Sequence, residues 1–103
     1  MRESDFQGIP NSAAAHAGPL TVGSAASTLR SLATLHDATR AVLIAVETAA
    51  VRYTVNGTLP TGTLGFAAPA GQFIRLSRQE ADLAQFIRST GVDATLQVAQ
   101  YKD

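Results

Sequence analysis

His16 and His36 are the two imidazoles of the chain, and they stand twenty residues apart. A transition-metal site needs several ligands at compatible spacing on fixed elements, which two isolated histidines do not supply. Cysteine is absent, which removes thiolate ligands, disulfides and cysteine nucleophiles together. The closest acidic pairs are Glu3 with Asp5 and Glu80 with Asp82. General acid–base work needs carboxylates facing each other across a cleft, and neighbours on one helical turn point apart. The stretch "GTLPTG" at 57–62 has the glycines of a phosphate loop but lacks the lysine and following helix. Asn56-Gly57-Thr58 matches a glycosylation acceptor, yet nothing in "MRESDFQGIPNSAAAHAGPL" reads as a secretion signal. A conformational account is better: Asn and Gly tolerate the positive φ of a tight turn, and Pro60 stiffens the loop beyond it. No catalytic residue, cofactor or metal site is expected.

The elements around that loop are β in pattern. "AVLIAVE" from Ala41 is a continuous apolar run bounded by charge, which predicts a strand buried on both faces. "VRYTV" alternates, with Val51, Tyr53 and Val55 on one face and Arg52 and Thr54 on the other. "QFIRLS" places Ile74 and Leu76 inward and Arg75 outward. "LAQFIRST" and "ATLQVAQY" close the chain around the turn formers of "STGVD", with Leu96 and Val98 sharing a face. Ser77 followed by Glu80 has capping-box spacing and predicts a single helical turn near Arg78 to Asp82. Upstream, Leu29, Leu32 and Leu35 suit a short helix capped by Ser27 or Thr28, or else an irregular crossing. Tyr53, Phe66, Phe73, Phe86 and Tyr101 lie on or beside the strands, where core packing and sheet-face pairing are their expected roles. The fold class is therefore all-β: a small antiparallel sandwich, Ig-like or jelly-roll-like, with one short helical turn.

In front of it lies an extended N-terminal arm, taken as residues 1–19, with the sandwich domain at 20–103. The arm carries Phe6 and Ile9 as its large hydrophobes amid Gly, Pro, Ser and Ala. Such a segment cannot bury enough surface to offset its ordering entropy, so it is expected to be flexible until it orders against a partner. Hydrophobic residues make up 46% of the 103, but nineteen are alanine, so the core is thin and a partner subunit would help it. Eight basic and eight acidic side chains balance, which argues against nucleic-acid binding. No run of eighteen apolar residues is present, so no membrane helix is expected, and synthesis and assembly in the cytoplasm are.

One ordered set of motifs is specific by its sequence and spacing. "VETAAVRYTVNGTLPTGTLGFAAPAGQFIRL" followed by "FIRSTGVDATLQVAQY" resembles small virion proteins of tailed bacteriophages. Those have a strand ending in V-E-T, a V-R-Y-T strand, a D/N-G-T-x-P-T loop, a glycine-alanine corner, F-x-x-I-R, and a closing A-T-L-x-V-x-Y strand. The matching residues are Val46 to Thr48, Val51 to Thr54, Asn56 to Thr58, Pro60, Thr61, Gly65, Ala70, Gly71, Phe86 to Arg88 and Ala94 to Tyr101. The resemblance covers residues 41 to 101. Members commonly carry Asp before the loop glycine, and Asn56 here keeps the turn while dropping a charge.

The resemblance implies a non-enzymatic decoration or cement protein on the outer capsid surface, a homo-oligomer (dimer or trimer) binding the major capsid protein in the virion. The expected contacts are Phe6, Ile9 and Leu20, with Asn56, Gly57, Thr58, Pro60 and Thr61 as a contact loop. A neck or tail protein of the same kind of phage is the alternative within structure. A carbohydrate-binding module is the alternative outside it, although the loop has no Trp and no aromatic between Tyr53 and Phe66.

Overall fold

Residues 13–61 and 63–102 are described by a computed structural model. Eight strands run in chain order: β1 (Ala13–Val22), β2 (Ser27–Thr28), β3 (Ala41–Glu47), β4 (Val51–Thr54), β5 (Phe66–Ala68), β6 (Phe73–Ser77), β7 (Gln85–Arg88) and β8 (Ala94–Tyr101). They form two four-stranded antiparallel sheets, ordered β1-β8-β3-β6 and β2-β7-β4-β5. Each strand pairs with its counterpart counted from the other end of the chain: β1 with β8, β2 with β7, β3 with β6 and β4 with β5. This nesting is one long antiparallel hairpin rolled into two layers, and it is the jelly-roll arrangement rather than the Ig-like one.

Alternation builds the core. Val42, Ile44 and Val46 of β3, Ile74 and Leu76 of β6, and Leu96 and Val98 of β8 turn inward and are buried. Val51, Ala68 and Phe86 meet them from the second sheet. Within the apolar run of β3, Leu43 and Ala45 are half-buried, so the strand is covered on one face and partly open on the other.

β1 begins at Ala13, so residues 13–19, assigned to the arm by composition, belong to the sheet. The reason is backbone pairing: β1 registers along β8 from Ala13↔Tyr101 to Val22↔Ala94, with shifts between Ala13 and Ala15 and between Ala17 and Leu20. Alanine, glycine and proline are poor strand formers and give no alternating signal, yet an edge strand needs little more than its ladder. The Gly18–Pro19 peptide is cis.

Two short helices join the strands, the second the expected turn and the first the helical alternative for the leucine stretch. α1 (Leu29–Leu32) is capped by Thr28, whose side chain accepts from Ser31 N at 3.1 Å. α2 (Arg78–Leu83) has the expected capping box: Ser77 Oγ accepts from Glu80 N at 3.3 Å, and Glu80 Oε1 accepts from Ser77 N at 3.0 Å. The crossing between α1 and β3 is irregular and is held by Gln100 of β8. Its Oε1 accepts from His36 N at 3.0 Å and Thr39 Oγ1 at 2.7 Å, and its Nε2 donates to Thr34 O at 2.8 Å. Thr48, after β3, takes φ 73°, a left-handed conformation that β-branched residues rarely adopt.

Candidate functional site

The connection from Val55 to Gly65 is anchored to the second sheet by side chains that point away from the core. Phe86 is buried, so Tyr53 opposite it lies on the inner face, while Arg52 and Thr54 lie on the other. From that outer face the Thr54 hydroxyl donates to Thr58 O, Gln85 Nε2 donates to Gly57 O at 3.1 Å, and Arg52 Nη1 donates to Gly65 O at 2.9 Å. The loop folds back over Thr54, which is why this polar side chain is buried.

Internal bonds complete the loop. Thr58 N donates to Asn56 Oδ1 at 3.1 Å, and Thr61 Oγ1 accepts from Leu64 N at 2.9 Å, the local side-chain turns that Asn and Thr favour. Gly57 alone takes the positive φ (86°) of the Asn-Gly pair, so the turn is part of a longer loop and not a two-residue hairpin. Gly65 has φ 122°, and a Cβ there would lie 2.9 Å from Tyr53 O; only glycine lets the chain re-enter β5 so close to β4.

This anchored loop presents apolar surface. Leu59 and Phe66 are each 62% exposed, with Leu64 and Leu83 about half exposed beside them. Two shallow hollows flank the loop stem. One, of about 290 Å³, is lined by Thr54, Val55, Asn56, Thr58, Leu64, Gly65 and Phe66. The other, of about 540 Å³, is lined by Val55, Asn56, Gln79, Glu80, Asp82 and Leu83. Val55 and Asn56 belong to both, so the stem is a ridge between them. Clustered exposed hydrophobes of this kind mark interaction surfaces.

The expected contact residues divide. Asn56, Gly57, Thr58 and Thr61 are exposed on the ridge and loop. Pro60 is fully buried and acts as the plug that seats the loop, so it offers a partner nothing. Leu20 is half-buried and packs against the core. Phe6 and Ile9 lie outside the described residues. Leu59, the one aliphatic side chain within "NGTLPT", lies inside the expected contact loop but was not singled out, and Leu64 and Leu83 were not among the expected contacts. The signal for Leu59 was a large apolar residue amid turn formers. For Leu83 no signal was visible, since its place beside the loop depends on α2 packing near Gly57.

The aromatic residues also divide. Phe86 is buried and stacks with Tyr53 at 5.7 Å between ring centroids; Tyr53 continues to Phe66 at 5.6 Å. This ladder crosses three strands and ends at the surface, because β5 is an edge strand with nothing beyond it. Phe66 thus keeps the expected sheet-face pairing, while Phe73 departs from the expected role. Phe66 is a sheet-face pair exposed at the edge, and Phe73 is 66% exposed on the outer face of the first sheet. Burial, and secondarily the Glu80 carboxylate, hold the Tyr53 hydroxyl above its ordinary pKa, so it stays neutral across the physiological range.

Reactive groups do not converge here. Asp82 accepts from Arg30 at 2.7 Å and Arg78 at 3.1 Å, and Glu80 is occupied by the capping box. Among the described residues no three or more His, Cys, Asp or Glu side chains stand together to hold a metal ion. No helix among them is long and apolar enough to cross a membrane. The chain matches no family model, no curated protein and no solved structure.

Proposed function

We propose that this chain is a non-enzymatic bacteriophage structural protein that binds and stabilises the outer capsid surface as a cement or decoration protein. One observation carries the reading most: a loop hydrogen-bonded to the sheet at three points presents Leu59, Leu64 and Phe66 without a reactive group among them. A rigid apolar surface loses little entropy on binding, so a small contact can be productive. Repetition over a shell multiplies that contact, which suits a 10.7 kDa body. The resemblance of residues 41 to 101 to small tailed-phage virion proteins points the same way, and the jelly roll is a fold used in viral capsid domains. Fold analogy carries less than the surface, because one architecture hosts many functions.

On this reading the partner is the major capsid protein, the protein resides on the virion surface, and neither nucleic acid nor membrane is a ligand. A neck or tail position is the second reading, since a rigid apolar contact loop serves either location. Copy number per particle separates them, by quantitative mass spectrometry of purified virions. Hundreds of copies support the shell, whereas six or twelve place the protein at the neck. Jelly rolls also occur in lectins, but the hollow beside Phe66 is lined mainly by aliphatic and small side chains. Of its polar side chains, the Thr54 hydroxyl and Asn56 Oδ1 are already engaged in bonds within the loop, whereas a sugar site needs polar groups aimed at the ligand.

A further inference from the structure

We infer that the outer face of the β1-β8-β3-β6 sheet is the surface on which a second copy of this chain packs, forming a two-fold dimer. The face has a largely apolar centre: Phe73 of β6, Leu43 and Ala45 of β3, and Ala99 of β8 border a hollow of about 140 Å³, completed by His16 and Gln97, whose polar ends bond to each other at 2.9 Å. Phe73 stands out from it with two-thirds of its surface in water. The charges at its margins decide the occupant.

The register of β3 with β6 sets Arg75 level with Leu43 and Phe73 level with Ala45, so Glu47 falls one step beyond on the same face. The apolar centre is thus flanked by a cation on one side and an anion on the other. Among the described residues Arg75 has no hydrogen-bond or ion-pair partner, and Glu47 accepts one long bond from Gln97 at 3.5 Å. A two-fold interface puts the same patch on both sides and must be complementary to itself. A two-fold axis crossing the strands at the level of Phe73 exchanges the Arg75 and Glu47 levels. Each arginine then meets the partner's acidic level, and the Phe73 side chains meet across the axis. A like-charged margin would forbid this packing.

The size of the face sets the strength. Four strands about 4.8 Å apart, over the length of the seven-residue β3, offer roughly 450 Å² per copy. Two copies together bury about 900 Å², at the low end for specific interfaces, so the dimer is reversible. This inference rests on the sheet face and not on the capsid reading, and it is tested on the isolated protein, so either can fail alone.

The test is sedimentation equilibrium of the full chain from micromolar to millimolar concentration, with melting curves to show that each variant is folded. The parent is expected to show a monomer–dimer equilibrium. Phe73→Lys, at an exposed position, should raise the dissociation constant about tenfold or more. Arg75→Glu and Glu47→Arg should each weaken the dimer, and the two together should restore it. A parent monomeric at millimolar concentration overturns the inference, as does a Phe73→Lys protein that dimerises like the parent. So does a double charge swap no better than its single swaps. If the parent is monomeric but a chain lacking residues 1–12 dimerises, the face belongs to that N-terminal segment, which also overturns it.

Discussion

Replacing Gln100 with Met should cost this small domain a large part of its stability. Gln100 and Thr39 are each 1% exposed, and the amide serves three partners at once: the Thr39 hydroxyl, His36 N and Thr34 O. Methionine has nearly the same length and fills the space, so cavity formation contributes little. The Thr39 hydroxyl is left buried without its acceptor, at a cost of about 1–3 kcal/mol. The two backbone groups belong to exposed residues and regain water, so each loses about 0.5–1.5 kcal/mol. The expected loss is about 2–6 kcal/mol, which in a domain of this size lowers the melting temperature by about 8 °C or more. Urea and thermal unfolding followed by circular dichroism measure it. Adding Thr39→Val removes the orphaned hydroxyl, so the double variant should be at least about 1 kcal/mol more stable than additivity predicts. A Gln100→Met protein within about 0.5 kcal/mol of the parent would refute the view that this amide ties the crossing to β8.

Ile44→Ala and Leu96→Ala should each destabilise by about 2–5 kcal/mol, since both side chains are fully buried between the sheets; equilibrium urea titration reads this directly. Thr48→Asn should stabilise by up to about 1 kcal/mol, because Asn tolerates the left-handed backbone that Thr48 is forced to adopt at φ 73°. An unchanged or lower midpoint would show that the Thr48–Thr95 hydroxyl contact at 3.2 Å outweighs the strain. Tyr53 predicts an alkaline effect. Its pKa is raised in the folded state by burial and then by Glu80, so the folded protein holds the proton where the unfolded chain has released it. Its contribution is complete below the ordinary tyrosine pKa of about 10 and is lost as pH rises through the higher folded value. Tyr53→Phe should flatten the fall in melting temperature above that point.

Period-two alternation made β4, β6 and β8 legible, and the apolar run made β3 legible, because a buried face constrains side-chain type at every second position. The capping box at Ser77 and Glu80 was equally readable, being a local arrangement of two side chains and two backbone groups. Most of β1 was not. β1 is made largely of Ala, Gly, His and Pro and is held by backbone pairing to residues more than seventy positions away, which no local pattern records. Gln100 falls on the inward face that alternation gives to Leu96 and Val98, but its role as a buried hub was not visible, because the crossing from Thr34 to Thr39 that it ties down has no ladder of its own. The loop from Val55 to Gly65 was located by its turn residues. Its apolar character was missed because the exposure of Leu64 and Phe66 on one side of the stem, and of Leu83 on the other, follows from β5 lying at the edge and α2 packing near Gly57. Pro60 shows the converse error: expected as an exposed contact, it is fully buried beneath the loop.

The capsid reading is tested most directly by adding purified protein to undecorated phage capsids and comparing the parent with the Leu59→Asp/Phe66→Asp variant. Both side chains are 62% exposed, so the variant should fold. Each is worth roughly 1.5–3 kcal/mol when fully buried against a partner, so losing both should weaken binding by about a hundredfold or more. The account predicts full occupancy and raised particle stability with the parent, and loss of both with a variant that melts normally. A variant that decorates as well as the parent, or a parent that fails to bind any capsid, would contradict it.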